Sequence, residues 1–222
     1  MSSDEKRITD KYGITFNEIR RLSLNGRSEE EMLESVLVKE TWFMRGRRQF
    51  EFLKERFGKK ELIAWSCGCA TGEEAYSIAM ALEGATVWGT DVSKSAIEFA
   101  RRGVYKKRAL RELRKDEVLR FFVKEGAFYR VKNEIKERVY FMVSNLLSPP
   151  PFNFSFDLIM LRNVLMYFSG NARKKAVENV VSVLKTGGIL LLGDTEFLLN
   201  LPGDLKPVKE GDVYYYIRVA HR

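Results

Sequence analysis

The chain has 222 residues, of which 45% are hydrophobic. This length suits one α/β domain with a small appendage, and the hydrophobic content is typical of a chain with a full core rather than of a disordered one. The net charge of +8 is consistent with an acidic partner, but charge alone does not distinguish nucleic acid from an acidic protein surface. No run reaches the roughly 18 apolar residues of a membrane span, so we expect no membrane insertion. The first residues are polar and of mixed charge, unlike a secretion signal.

The only two cysteines, Cys67 and Cys69, are separated by one residue. Two thiols at this spacing form neither a disulfide framework nor a zinc site, so we expect no metal and a location in the reducing cytoplasm. Small residues at a tight turn are the simplest interpretation of both. The single histidine, His221, is next to the last residue and indicates no histidine-based general base.

The N-terminal part of the chain is predicted to be a short helical segment. Apolar residues recur at helical spacing in 29–37 and again between Phe50 and Phe57. The apolar surface here is too small for an independent domain, so we expect this segment to cap the next one. The predicted division is therefore a helical segment at 1–58 and a larger domain at 59–222.

From residue 62 onward, short apolar runs alternate with helical patterns. The predicted elements are a strand at 62–65, a helix at 73–82, a strand at 86–90, a helix from Ser93 to about Arg102, a strand at 156–161, a helix at 172–184 stopped by Gly187-Gly188, and strands at 189–193 and 213–219. This alternation predicts a mostly parallel sheet with helices on both faces. Strand-like pieces at 128–131 and 139–143 interrupt it, and we expect them to pair as a small antiparallel subdomain at about 127–143.

The turn after the first predicted strand has the composition of a ligand site. Ligands of open α/β sheets bind beyond the carboxyl ends of the strands, and the small residues around Gly68 allow a ligand to approach the backbone. The following helix begins at Glu73-Glu74, and two acids there would repel a pyrophosphate. They suit a ligand with positive charge and hydroxyl groups, such as S-adenosylmethionine. A plain tight turn with an acidic helix start is the alternative.

Further polar residues follow the other predicted strands. Asp91 lies 23 residues after Gly68, the spacing at which an acid holds the ribose hydroxyls of an adenosine ligand. Asn145-Leu146 offers a side-chain amide and a backbone N–H to an adenine edge, or forms a simple turn. Arg162-Asn163 follows a core strand, where active-site groups collect, or caps a helix. Tyr167-Phe168 belongs either to the site or to the core.

Four motifs occur in an order that resembles a known family. They are Glu40-Thr41-Trp42-Phe43-Met44-Arg45, Gly68-Cys69-Ala70-Thr71-Gly72-Glu73-Glu74-Ala75-Tyr76-Ser77, Arg162-Asn163-Val164-Leu165-Met166-Tyr167-Phe168 and Leu184-Lys185-Thr186-Gly187-Gly188. From about residue 38 to the C-terminus the chain resembles the chemotaxis receptor glutamate methyltransferases of the CheR type. The resemblance implies a Rossmann-like S-adenosylmethionine-dependent methyltransferase fold with a small antiparallel insertion. It also implies methylation of glutamates on chemoreceptor cytoplasmic helices in adaptation, with S-adenosylhomocysteine as product.

The resemblance also implies roles for matching positions. Thr41 and Arg45 would contact the cofactor or the entrance of the site, Glu74 would bind the amino group of the methionine moiety, and Asp91 would hold the ribose. The other implied cofactor contacts are Gly68, Asn145, Leu146, Arg162 and Asn163. Tyr167 would lie near the transferred methyl group. Arg45, which would steer the substrate carboxylate, and Tyr167, which would donate a hydrogen bond to it, are the predicted catalytic residues.

Departures from the family concern recognition more than the cofactor. Family members have a longer, basic N-terminal helical domain that contacts the receptor, whereas about 38 residues precede the first motif here. Lys39 replaces an expected Asn, and Gly193-Asp194-Thr195-Glu196 replaces Gly-His-Ser-Glu. Two alternatives therefore stay open: a methyltransferase of this fold acting on RNA or a small molecule, and a non-catalytic S-adenosylmethionine-binding signalling protein.

A basic stretch bears on the partner. Residues 101–120 contain nine Lys or Arg and three acids. A solvated helical face and a docking surface for an acidic receptor helix are both consistent with this pattern. Nucleic acid is less so, because no stacking aromatic residues are interleaved with the charges. We expect a monomer that acts on a receptor's cytoplasmic domain.

Overall fold

The structure, a computed structural model, describes residues 9–13, 31, 34, 40–199 and 202–220. Residues 9–12, 31 and 34 are helical, and the rest of the helix predicted at 29–37 lies outside the described residues. The α-helices after residue 40 are α1 (Arg47–Phe57), α2 (Glu73–Ala81), α3 (Lys94–Arg102), α4 (Lys115–Phe121), α5 (Asn133–Lys136) and α6 (Gly170–Ser182). Short 3₁₀ helices cover Lys107–Leu110 and Leu165–Tyr167. None of the helices in this part of the chain is both long and apolar enough to cross a bilayer.

The strands form a large mixed sheet and a small antiparallel one. They are β1 (Leu62–Cys67), β2 (Ala85–Asp91), β3 (Val104–Lys106), β4 (Phe122–Glu125), β5 (Phe128–Val131), β6 (Val139–Val143), β7 (Phe156–Leu161), β8 (Leu184–Leu192), β9 (Leu205–Glu210) and β10 (Val213–Arg218). The seven-stranded sheet has the order β6-β2-β1-β7-β8-β10-β9. The first five of these are mutually parallel, and β10 is antiparallel to β8 and β9. The predicted mostly parallel sheet is confirmed.

The order of the strands locates the expected binding edge. After β1 the chain moves outward to β2 and β6, and then returns to the other side of β1 with β7 and β8. The strand order therefore reverses between β1 and β7. Ligands of such sheets bind at the carboxyl ends of the strands beside this reversal.

Side chains of the central strands are buried on both faces of the sheet. In β7, Leu158 and Met160 contribute to the core shared with α1, α2 and α3, whereas Ile159 and Leu161 contribute to the core on the α6 side. This division follows from the alternation of side chains along a strand, and continuous apolar runs are typical of parallel strands covered on both faces. The apolar face of α1 packs on the first of these cores.

The prediction of an antiparallel subdomain at about 127–143 is wrong in which strands pair. The small sheet has the order β3-β5-β4, so 128–131 pairs with 104–106 and 122–125. The piece at 139–143 is β6, which runs parallel to β2 at the edge of the large sheet. The ring of Phe141, a residue of β6, packs over Gly89, where an added Cβ would lie 2.7 Å from the ring. The missing side chain at Gly89 therefore makes room for β6 beside β2.

The helix stop predicted at Gly187-Gly188 is also wrong. Helix α6 ends at Ser182, and both glycines lie inside β8. The pairing with β7 is irregular here, because Phe156 is opposite Leu184 but Leu158 is opposite Ile189. The glycine pair therefore accommodates a bulge in β8, for which the positive φ of Gly187, 81°, suits glycine.

Candidate functional site

Backbone strain is concentrated at the carboxyl edge of the large sheet. Among the described residues, those other than glycine with a positive φ are Met44, Ala70 and Asn163, at 57°, 46° and 57°. Ala70 is in the turn after β1, Asn163 follows β7, and Met44 is held against α2 by the hydroxyl of Ser77, which accepts from its amide at 2.9 Å. Such conformations are costly and persist where the surroundings enforce them, which is frequent at functional sites.

A cavity of about 150 Å³ lies at this edge, between the ends of β1 and β7. The residues predicted from sequence that line it are Thr41, Arg45, Gly68, Glu74, Arg162, Asn163 and Tyr167. The lining is completed by Glu40, Trp42, Phe50, Cys69, Ala70 and Met166. Segments far apart in the sequence thus meet at the position that the strand order indicates.

The carboxylate of Glu74 is the largely buried anion of this cavity, with 13% of its side chain exposed. Its Oε1 accepts from the hydroxyl of Ser66 at 2.7 Å, and its Oε2 accepts from Nη1 of Arg162 at 3.1 Å. Burial raises the pKa of Glu74, whereas the charge of Arg162 and the hydrogen bond from Ser66 act to lower it. A second positive charge placed beside this carboxylate would favour its ionised form.

Arg162 joins the two sides of the cavity. Its Nη2 donates to the carbonyl oxygen of Arg45 at 2.6 Å, and its guanidinium lies 5.6 Å from the centre of the Phe50 ring. The side chain is 3% exposed, and its Nε has no hydrogen-bond partner among the described residues. Arg162 therefore fixes both Glu74 and the segment that carries Arg45.

Two polar residues at this edge were not singled out from the sequence. Ser66 bonds Glu74, and Oε2 of Glu196 accepts from the backbone amides of Asn163 at 2.6 Å and Gly193 at 3.0 Å. The Oε1 of Glu196 is buried without a partner in the described part of the chain. A polar residue inside the apolar run of β1 was the available signal for Ser66. For Glu196 the signal is its place at the end of the motif 193–196.

The other predicted cofactor contacts lie outside the cavity but along the same edge. Asp91, at the end of β2, accepts from the amides of Ala70 at 2.8 Å and Ser93 at 2.9 Å. Asn145 follows the neighbouring β6 and donates its side-chain amide to the carbonyl of Lys11 at 3.0 Å. Leu146 beside it is buried. The structure thus divides the predicted set between the cavity and the adjoining ends of β2 and β6.

Arg45, a predicted catalytic residue, is held on the wall of the cavity. Its Nη1 donates to the carbonyl of Glu40 at 2.8 Å, and its guanidinium lies 4.5 Å from the centre of the Trp42 ring. A second guanidinium, from Arg111, lies 3.5 Å from the same ring. Tyr167, the other predicted catalytic residue, is half-buried at the end of a 3₁₀ helix.

Glu73, Cys67 and Cys69 add no negative charge to this cavity, because Glu73 does not line it and the two thiols are protonated. Glu73 is 4% exposed, accepts from the hydroxyl of Thr71 at 2.6 Å, and has a pKa that burial raises to about 7. Burial also raises the pKa of the Cys67 and Cys69 thiols, which keeps them protonated near neutral pH. This agrees with their interpretation as small residues at a tight turn.

Comparison with known proteins decides the family. Residues 39–213 match the family model described as "CheR methyltransferase, SAM binding domain". The chain belongs to the CheR methyltransferase family. This membership confirms the resemblance drawn from the four motifs, and with it the prediction of an S-adenosylmethionine-dependent methyltransferase.

Individual relatives of this CheR-family chain include chemotaxis proteins. It is 31% identical over 234 residues to chemotaxis protein methyltransferase 1 of Pseudomonas aeruginosa, a match that covers 94% of this chain and 85% of that protein. It is 28% identical to the chemotaxis protein methyltransferase of Listeria innocua, over 89% of this chain and 80% of the other. An uncharacterised 104.1 kDa protein of Rhodobacter capsulatus is 38% identical over 153 residues. The match covers 64% of this chain but only 16% of that protein.

Proposed function

We propose that this CheR-family chain transfers the methyl group of S-adenosylmethionine to glutamate side chains on the cytoplasmic domain of a chemoreceptor, forming methyl esters. The observation that supports this best is the largely buried Glu74–Arg162 pair at the strand reversal, within a cavity lined by three of the family motifs. The proposal places the enzyme in the cytoplasm, as a monomer.

The residues present suit the two ends of the cofactor. At about 150 Å³ the cavity is smaller than the roughly 300 Å³ at which small-molecule sites begin, so it suits the amino-acid end of the cofactor alone. In the proposed arrangement Glu74 takes the ammonium group. The adenosine end then follows the sheet edge from β1 to β2 and β6, where Asp91 takes the ribose hydroxyls and Asn145-Leu146 the adenine.

The proposed reaction needs no general base. A glutamate side chain has an ordinary pKa of about 4.3 and is already anionic near neutral pH. The cofactor supplies a methyl group on a positively charged sulfur. The carboxylate oxygen would bond to the methyl carbon as the carbon–sulfur bond breaks, and the electron pair of the broken bond would stay on sulfur, so that the two charges cancel. A dry site that holds the carboxylate in line favours such a step.

Arg45 and Tyr167 are the proposed catalytic residues. Stacking on Trp42 and the hydrogen bond to the carbonyl of Glu40 hold the guanidinium of Arg45 on the cavity wall. From there it steers an incoming carboxylate without a bidentate salt bridge, which would weaken the nucleophile. The hydroxyl of Tyr167 orients the same carboxylate by a hydrogen bond.

The test is methyl transfer from labelled S-adenosylmethionine to receptor cytoplasmic fragments, with methanol released by alkali as the readout for methyl esters. We expect Tyr167→Phe and Arg45→Ala to lower turnover, with cofactor affinity measured separately. Tyr214→Phe, which changes a tyrosine that is 63% exposed on β10, and Arg48→Ala, which changes an exposed arginine of α1, are matched controls. Unchanged turnover in both site variants would refute the catalytic roles. Alkali-stable transfer to RNA or a small molecule, or cofactor binding without transfer, would replace the proposed function.

A further inference from the structure

A second, larger cavity adjoins the candidate site. It has a volume of about 1080 Å³ and lies between α3, the small antiparallel sheet and the 3₁₀ helix Lys107–Leu110. We call it the basic groove, because six basic side chains line it: Arg102, Lys106, Arg108, Arg111, Arg130 and Lys136. We propose that the basic groove binds an acidic segment of the polypeptide substrate and so delivers a glutamate of that segment to the cavity of about 150 Å³ at Glu74 and Arg162, which we call the methyl-transfer cavity. This inference rests on the proposed function and gives it a location.

The charge of the groove is strongly positive. Glu40 and Glu73 are the acids in its lining, and burial raises the pKa of Glu73 to about 7, so near neutral pH that carboxyl is about half protonated. Arg130 is neutralised by Glu125, whose carboxylate it contacts at 2.7 Å. Glu40 pairs at long range with two of the cations, Arg108 at 3.7 Å and Arg111 at 4.0 Å. The side chains of Arg102 and Lys106 are exposed, and that of Arg108 is 81% exposed despite this pairing. A concave surface with several exposed cations attracts and orients an acidic partner.

The groove adjoins the methyl-transfer cavity. Glu40 and Thr41 line both. The ring of Trp42 separates the two spaces, with Arg111 of the groove on it at 3.5 Å and Arg45 of the cavity at 4.5 Å. A polypeptide seated against Arg111 is therefore one aromatic ring away from Arg45, the residue proposed to steer the reacting carboxylate.

The lining favours a polypeptide over a nucleic acid. Single-stranded nucleic acids are usually held by successive exposed aromatic rings between the cations. In the groove Tyr105 is buried and Phe99 is partly buried, whereas Phe128 is 42% exposed. One exposed ring among the lining aromatics does not provide a stacking platform, and an acidic polypeptide requires none.

The test measures peptide binding directly and separately from catalysis. The probe is a short fluorescent helical peptide rich in glutamate and free of lysine and arginine, titrated into the full chain with S-adenosylhomocysteine present. The variant is the triple substitution Arg102→Gln, Lys106→Gln and Arg108→Gln. We expect its affinity for the peptide to fall by about tenfold, with the affinity for S-adenosylhomocysteine unchanged. In methyl transfer to the same peptide, KM rises and kcat does not.

The matched control removes the same charge elsewhere. Lys60, Lys175 and Lys206 are exposed and lie outside the groove lining, and their triple substitution to Gln gives the same net charge. Equal losses of affinity in both triple variants, or no loss in the groove variant, would overturn the proposal. So would an RNA oligonucleotide that competes the peptide from the groove at lower concentration. Peptide binding that depends on the groove without any methyl ester formation would refute the proposed function instead, so the two failures are distinguishable.

Discussion

Replacing Glu73 by Gln should change the pH dependence of stability. Burial raises the pKa of this carboxyl from 4.5 to about 7. Below pH 4.5 the group is protonated in both the folded and the unfolded chain and contributes nothing. As the pH rises from 4.5 towards 7, the unfolded chain releases the proton more readily than the folded one, so the wild type loses stability. Because a tenfold change in acidity corresponds to about 1.4 kcal/mol, the loss reaches about 3 kcal/mol above neutral pH.

The Glu73→Gln variant has no proton to lose at this position. Its Oε1 still accepts from the hydroxyl of Thr71, and any constant penalty from the buried amide N–H groups cancels when the same variant is compared at two pH values. Its free energy of unfolding relative to the wild type should therefore rise by about 3 kcal/mol between about pH 4.5 and about pH 8. Urea unfolding followed by tryptophan fluorescence measures this difference.

The control for this experiment is Glu61→Gln, because Glu61 is exposed. That variant should follow the wild type at both pH values. The reasoning would be refuted by a Glu73→Gln curve that stays parallel to the wild-type curve across the range. Such a result would mean that Glu73 ionises in the folded chain as readily as in the unfolded chain.

Three further substitutions test the packing and charge of the site. Arg162→Met leaves the buried carboxylate of Glu74 without its cation and should lower the free energy of unfolding by about 3 to 5 kcal/mol, measured by urea unfolding; a loss under about 1 kcal/mol would contradict the pairing. Gly72 has a φ of 92°, and a Cβ added there would lie 2.7 Å from the Cβ of Ala100, so Gly72→Ala should lower the free energy of unfolding by about 2 kcal/mol in thermal unfolding. Gly126→Ala is the control, because a Cβ there meets nothing within 4 Å, and it should lower the free energy of unfolding by about 1 kcal/mol. Equal losses in the two variants would exclude a packing origin. Glu74→Gln should weaken S-adenosylhomocysteine binding by about tenfold or more in calorimetry, and unchanged affinity would remove Glu74 from the proposed ammonium site.

The parts of the fold that were predictable are those where local pattern and tertiary environment agree. The run 156–161 is apolar at every position but Asp157, which is what a strand buried on both faces requires, and β7 has these same bounds. Ser93 was predicted as a helix cap, and its hydroxyl accepts from the amide of Ala96 at 3.0 Å. In both cases the signal is contained within a few neighbouring residues.

The wrong predictions concern strand pairings between segments that are far apart in the sequence, and a glycine pair whose role depends on such a pairing. Nearness along the chain suggested that 128–131 pairs with 139–143, but the partner of the second piece is β2, about fifty residues earlier. Its place there depends on the contact between Phe141 and Gly89, which no local pattern encodes. Likewise, Gly187-Gly188 has the signature of a helix end, but it occupies a bulge because β8 continues through it.

For the candidate site, the motifs predicted which residues gather but not how they are connected. Thr41, Arg45, Glu74 and Asn163 were expected together and line one cavity. The bridge from Arg162 to the carbonyl of Arg45 joins residues 117 positions apart, through a backbone oxygen that every residue type carries. Because contacts to a backbone oxygen do not depend on the residue type that carries it, this contact could not be predicted from the sequence.

The two acids at the start of α2 have different surroundings in the structure. The sequence alone presents Glu73 and Glu74 as a pair whose summed charge repels a pyrophosphate. Adjacent residues point about 100° apart around a helix, and here Glu74 lines the methyl-transfer cavity whereas Glu73 lines the basic groove. Burial leaves Glu73 only partly ionised near neutral pH, and Arg162 already balances Glu74. Preference for a cationic ligand therefore depends on the position of one carboxylate rather than on two charges, so Glu73→Gln should leave cofactor affinity unchanged where Glu74→Gln lowers it.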